Sequence, residues 1–151
     1  MAVLTKTVQL VTDSEAVVKI SGSDLVASVI NISTDILAAN QIVYPTSGAV
    51  PVANIIGFQW CGEPGAIYRV NRNSKRVVTL LADNGNFMDF VELFPSENTE
   101  NTSDISVTIA NAAGTAVQGE LWIRIRKVSG YASKIETAVY GVYDNLTAVG
   151  S

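Results

Sequence analysis

Residues 54–82 read NIIGFQWCGEPGAIYRVNRNSKRVVTLLA. Glu63-Pro64-Gly65 and Asn71-Arg72-Asn73-Ser74 interrupt the apolar runs, and both breaks use turn residues. Proline presets φ, glycine and asparagine tolerate the left-handed region, and serine bonds its own backbone. The stretch therefore predicts three strands in succession. Three adjacent antiparallel strands form a meander, the natural centre of a sheet, with the remaining chain arranged around it.

Upstream, residues 5–12 alternate, with Lys6, Val8 and Leu10 on one face and Thr7, Gln9 and Val11 on the other. Asp13-Ser14-Glu15 turns this strand into a second at 16–20. In 25–32 the β-branched Val26, Val29, Ile30 and Ile32 favour a strand over a short helix capped by Ser23 or Asp24. The best helix candidate is STDILAAN at 33–40, opened by Ser33 or Thr34 and closed by Asn40. It holds only two turns and needs tertiary support. After the loop Tyr44-Pro45-Thr46-Ser47-Gly48, the prolines around Val50-Pro51-Val52-Ala53 mark an edge or a connection.

Downstream, Asn84-Gly85 is a hairpin signal, and FMDFVELF at 87–94 alternates. Residues 95–104 form a long polar loop whose acids, Glu97, Glu100 and Asp104, invite a calcium reading. The loop lacks the glycine and terminal glutamate of a helix–loop–helix calcium site, so no metal is expected. DISVTIA at 104–110 turns Ile105, Val107 and Ile109 inward. Along 117–128, Leu121, Ile123 and Ile125 face one way, while Glu120, Trp122, Arg124 and Arg126 face the other. Tryptophan beside arginine is enriched at interfaces, but arginine stems also cover exposed indoles on ordinary surfaces, and both readings stay open. Residues 131–151 carry Tyr131, Tyr140 and Tyr143 without a clear period. They are too aromatic for a disordered tail and suit an arm or edge segment attached to a sandwich domain at 1–130.

Composition narrows the function. A chain of 151 residues builds one core without a staple. Charged residues make up 16% and hydrophobic ones 48%, which leaves apolar surface for another chain to cover and predicts a homo-oligomer or larger assembly. A net charge of −4 with scattered basic residues argues against nucleic acid. The chain has no histidine, and its single cysteine, Cys61, reads as a small buried hydrophobe beside Trp60. The opening MAVLTKTVQLV is no signal peptide, and no run is long enough for a membrane helix, so a reducing cytoplasm is expected. Asp89 and Glu92 fall on opposite strand faces, where two carboxylates cannot share acid–base work, and neither an enzyme nor a cofactor is predicted.

The run Trp60-Cys61-Gly62-Glu63-Pro64-Gly65-Ala66 is followed by Val70-Asn71-Arg72-Asn73-Ser74 and Phe87-Met88-Asp89-Phe90. Then come ENTENTSDI at 97–105 and Arg126-Lys127-Val128-Ser129-Gly130-Tyr131. Together these resemble small virion structural proteins of tailed phages, especially marine ones with contractile tails, over residues 55–131. The resemblance implies a β-rich protein that decorates a capsid or sits in the neck or tail, with other virion proteins as partners. The fold expected from the strand pattern is an antiparallel β-sandwich of nine or ten strands, jelly-roll-like, with an open barrel as the alternative. Two functions follow. One is a decoration-type structural protein using Trp122, Arg124, Arg126, Tyr131, Tyr140 and Tyr143 as contact residues. The other is a fibre-like, carbohydrate-binding sandwich in which Trp60, Trp122 or a tyrosine stacks on a sugar.

Overall fold

A computed structural model describes residues 4–22, 24–43, 50–83, 87–89 and 101–133. Among them the chain forms eleven strands and no helix. In order these are β1 Leu4–Val11, β2 Glu15–Gly22, β3 Asp24–Ile30, β4 Gln41–Val43, β5 Val52–Gly62 and β6 Ile67–Arg72. They continue with β7 Lys75–Leu81, β8 Phe87–Asp89, β9 Ile105–Ala110, β10 Gly119–Ser129 and β11 Tyr131–Ser133. One sheet runs β1-β2-β10-β5-β8, a second runs β3-β9-β6-β7, and β11 pairs with β4.

The pairings reveal how the chain is wound. β2 pairs with β10, β3 with β9, β5 with β8 and β6 with β7, all antiparallel. Strands β2, β3, β5 and β6 thus form one long ribbon with β10, β9, β8 and β7, folded at the β6–β7 turn. Rolling this ribbon brings β10 beside β5 and β9 beside β6, which completes two stacked sheets. That is a jelly roll, with β1 added at one edge.

The rolled ribbon overturns the meander expected at 54–82. β5 belongs to the five-stranded sheet, while β6 and β7 belong to the other, so Glu63-Pro64-Gly65 carries the chain between sheets. Of the three strands in this stretch, β6 and β7 alone form a hairpin. The Asn84-Gly85 signal fails for the same reason, because β8 pairs with β5 and not with β7; residues 84–86 themselves lie outside the described set, as do 90–94 of the expected 87–94 strand. Val52 and Ala53, expected at an edge or connection, begin β5 and pair with β10.

The predicted helix at 33–40 is also absent. The Asp35 N–H donates to the Asn31 carbonyl at 2.8 Å, which is one helical turn, and it is not continued. Two side chains supply local alternatives: the Asp35 carboxylate accepts from the Asn31 N–H at 2.7 Å, and the Asn31 side chain accepts from the Ser33 N–H at 2.9 Å. Short polar residues compete with helical bonding in this way. Ile32 and Ile36 anchor the turn in the core.

Between the sheets, Ala16, Val18 and Ile20 of β2 and Leu121, Ile123 and Ile125 of β10 meet Ile105, Val107 and Ile109 of β9 and Tyr68 and Val70 of β6. Nearly every inward position is a β-branched or aromatic residue, the types that fit a pleated half-buried surface. A register shift of β5 against β10 between Ile55 and Gly57 inserts Ile56 and keeps Ile55, Phe58 and Trp60 on the core side. Trp60 donates its Nε1–H to the Leu81 carbonyl at 2.9 Å, joining the two sheets.

The β6–β7 turn places Asn73 at φ 50° and Ser74 at φ 63°. Two adjacent positive φ values define the tight hairpin turn that favours Asn-Gly. Serine at the second position is strained where glycine is not, so Ser74→Gly is expected to stabilise the fold by about 0.5–1 kcal/mol. A urea titration checks this, and a destabilised variant would contradict the turn geometry.

Candidate functional site: the outer face of the five-stranded sheet

The alternation that buries Leu121, Ile123 and Ile125 sends Glu120, Trp122 and Arg124 to the opposite face, in the central strand of the larger sheet. Register fixes their neighbours in rows. One row reads Leu10, Val17, Arg124 and Gly57. The next reads Thr7, Lys19, Trp122 and Gln59, and the third Thr5, Ser21, Glu120 and Cys61. At one end of the face Arg126 stands opposite Glu15.

The polar groups on this face form a connected set. Lys19 Nζ lies 5.2 Å from the Trp122 ring centroid and 3.7 Å from Glu120. Arg124 donates Nε–H and Nη2–H to Glu15 Oε1 at 3.2 and 3.1 Å, and Arg126 sits 3.8 Å from the same carboxylate. One glutamate therefore serves two guanidiniums. Leu10 is 52% exposed and Val128 is 53% exposed, so apolar residues flank the charged ladder on the edge strand β1 and at the end of β10. Partly exposed pairs of this kind contribute about 0–1 kcal/mol each to stability, which leaves the arrangement free for recognition.

Cys61 belongs to this face and not to the core. In β5, Phe58 and Trp60 point inward, so Gln59 and Cys61 point outward, and the thiol is exposed. Its Sγ–H donates to Glu120 Oε1 at 3.6 Å. Desolvation by its neighbours, then the hydrogen bond and charge of Glu120, raise the thiol above its ordinary pKa. The expectation of a buried cysteine fails because adjacency to Trp60 in sequence means opposite faces in a strand.

Tyr131 lies elsewhere, at the end of the sandwich. It is partly buried against the core, its hydroxyl donates to the Ile32 carbonyl at 2.7 Å, and burial pushes its pKa up to about 12. Beside it Lys127 is buried, donating from Nζ to the Thr12 carbonyl at 2.7 Å and to Gln41 Oε1 at 2.5 Å. Burial lowers its pKa to about 8. A cleft of about 990 Å³ opens here, lined by Thr12, Asp13, Ala38, Gln41, Lys127 and Tyr131. The lysine ties the β1–β2 turn, β4 and β10 together. Sequence reading passed over Lys127, although it continues the inward series 121, 123, 125, and over the buried Arg72, which continues 68, 70.

Tyr140, Tyr143, Glu97 and Glu100 lie outside the described residues. Asp104 accepts the Ile32 N–H at 3.0 Å, a structural cap. Among the described residues no group of three potential metal ligands comes together, and no helix is long and apolar enough to cross a membrane. No family model, curated protein or solved structure matches the chain.

Proposed function

We propose that this chain is a structural protein of a tailed-phage virion, assembled in the host cytoplasm as a homo-oligomer and decorating the capsid surface in many copies. The observation that carries the reading is the outer face of the five-stranded sheet, where Trp122 is framed by Lys19, Glu120, Arg124 and Arg126. Aromatic and arginine residues in the middle of a face are the common anchors of protein contacts. The phage resemblance over residues 55–131 supplies the setting, and the jelly roll is an architecture that capsid proteins share.

The edge strands β1, β3 and β7 support a face contact over edge pairing. β1 shifts register between Val8 and Leu10, and Lys6 turns inward to reach the Val29 carbonyl at 2.8 Å and Asp35 at 2.5 Å. β3 is irregular between Asp24 and Ser28, and β7 opens with Lys75 and Arg76. Bulges, inward charges and edge lysines are devices that block strand addition. The sheet face carries no such device.

Lectins share the same architecture, and the carbohydrate reading loses support from the two tryptophans. Trp60 is buried, and Lys19 lies over the ring of Trp122, where a sugar would stack. Adding the purified chain to particles that lack it separates the readings. Saturable binding in proportion to capsid subunits is expected. A small fixed number of copies would move the protein to the neck or tail, and glycan-array binding without particle binding would overturn the structural reading.

A further inference from the structure

The contact face has a charge order along β10 that suits one particular partner. Two residues before Trp122 stands Glu120, and two residues after it stands Arg124, all three on the same side of the strand. A twofold axis lying in the plane of the contact, across β10 at Trp122, lays a second β10 antiparallel over the first. Position 122 then faces itself, and each Glu120 faces the Arg124 of the other copy. We propose that the outer face of the five-stranded sheet is the dimer interface of this protein, with Trp122 on the twofold axis and two Glu120–Arg124 pairs between copies.

Several features agree with a second copy as the occupant. Closed twofold contacts are the commonest form of self-association and require a patch complementary to itself, which the glutamate–tryptophan–arginine series of β10 provides; the same axis sets Lys19 and Gln59, in the row of Trp122, against their own copies, and the two Glu120–Arg124 pairs outweigh the lysine pair. Sheets stack about 10 Å apart, a gap that outward glutamate and arginine side chains from opposing sheets can bridge. Within one chain Glu120 has a long ion pair to Lys19 at 3.7 Å and a weak thiol donor at 3.6 Å, so its carboxylate gains from a guanidinium opposite. Arg124 is 46% exposed in its side chain and Glu120 is 37% exposed, so both reach beyond the sheet. An antiparallel overlay is also selected against its alternative, since a parallel one would set Glu120 on Glu120 and Arg124 on Arg124.

The proposal deepens the homo-oligomer part of the reading above and assigns this face to the second copy, so that particles are met by the rest of the dimer's surface and the two readings fail separately. The full chain is examined by sedimentation equilibrium, with circular dichroism confirming that each variant is folded. The unaltered chain is expected to dimerise, and Trp122→Ala to weaken the dimer by about 30-fold. Glu120→Arg sets arginine against arginine, and Arg124→Glu sets glutamate against glutamate, so each alone should weaken it by about 100-fold. Mixing those two variants restores both opposite-charge pairs, and the mixture should dimerise where neither component does. Failure of the mixture to associate, or an unaltered chain that stays monomeric, overturns the dimer. A monomeric chain that binds particles preserves the virion reading, and a dimer that ignores particles preserves only the interface.

Discussion

Replacing Arg72 by methionine is expected to destabilise the protein by about 3–5 kcal/mol, a large share of the roughly 5–15 kcal/mol that holds a domain folded. Arg72 is wholly buried at the end of β6, where it gathers carbonyls from two separate parts of the chain. Nη1 donates to Ala53 at 2.7 Å, Nη2 to Ser103 at 2.6 Å and Asn101 at 3.1 Å, and Nε to Ser103 at 2.9 Å. The guanidinium thus pins the segment before β9 to the start of β5. Methionine fills the volume but strands those carbonyls without the charged donor, and the cost of buried unpaired groups dominates. Lysine keeps the charge yet lacks the planar fork, so Arg72→Lys should recover only part of the loss. Urea unfolding measures both; a methionine variant within 1 kcal/mol of the parent would show that water or backbone replaces the arginine.

The second large effect is an alkaline stability profile with a maximum. Burial pushes Tyr68 and Tyr131 up to about 12, against about 10 in an unfolded chain. Below pH 10 both states hold the phenol protons, and the tyrosine contribution is fully present. Between 10 and 12 the unfolded chain releases them first, so stability falls, by up to about 5 kcal/mol for the pair. Lys127 acts with the opposite sign. Burial holds it at about 8 when folded, against about 10.4 when unfolded, so the folded chain sheds its proton first and stability rises across that interval. With no histidine in the chain, little should change between pH 6 and 8. Denaturant midpoints measured across pH 6–12 should therefore rise modestly to near pH 10 and then drop steeply. Tyr131→Phe should remove about half of the drop, and a steady decline from pH 8 would contradict the burial of Lys127.

Much of this architecture is legible in the alternation of single strands. The series 105, 107, 109 and 121, 123, 125 point inward as their alternation predicts, and the same alternation puts Glu120, Trp122, Arg124 and Arg126 on one face. What alternation does not carry is the sheet to which a strand belongs. Glu63-Pro64-Gly65 marks where the chain turns, and a turn signal is the same whether the next strand pairs beside the last or crosses to the facing sheet. Long polar side chains were the second gap. Lys127 and Arg72 occupy inward positions because their aliphatic stems pack in the core while their heads find carbonyls at the sandwich end, and those carbonyls come from distant segments. Trp122 was legible as a face residue, whereas its contact with Lys19 required the register of β2 against β10.

Cys61 offers the most direct test of the contact face, because its thiol lies on that face in β5, directly beside Glu120 of the central strand β10. A thiol reagent applied to the dilute chain should label it under native conditions, at a rate held down only by the raised thiol pKa. The same labelling is then followed as the chain is concentrated into its dimer. Labelling that slows at least about tenfold on assembly, in step with the fraction associated, is the expected result. An unchanged rate in a demonstrably associated sample would place the contact elsewhere on the molecule and remove the outer sheet face from its proposed role.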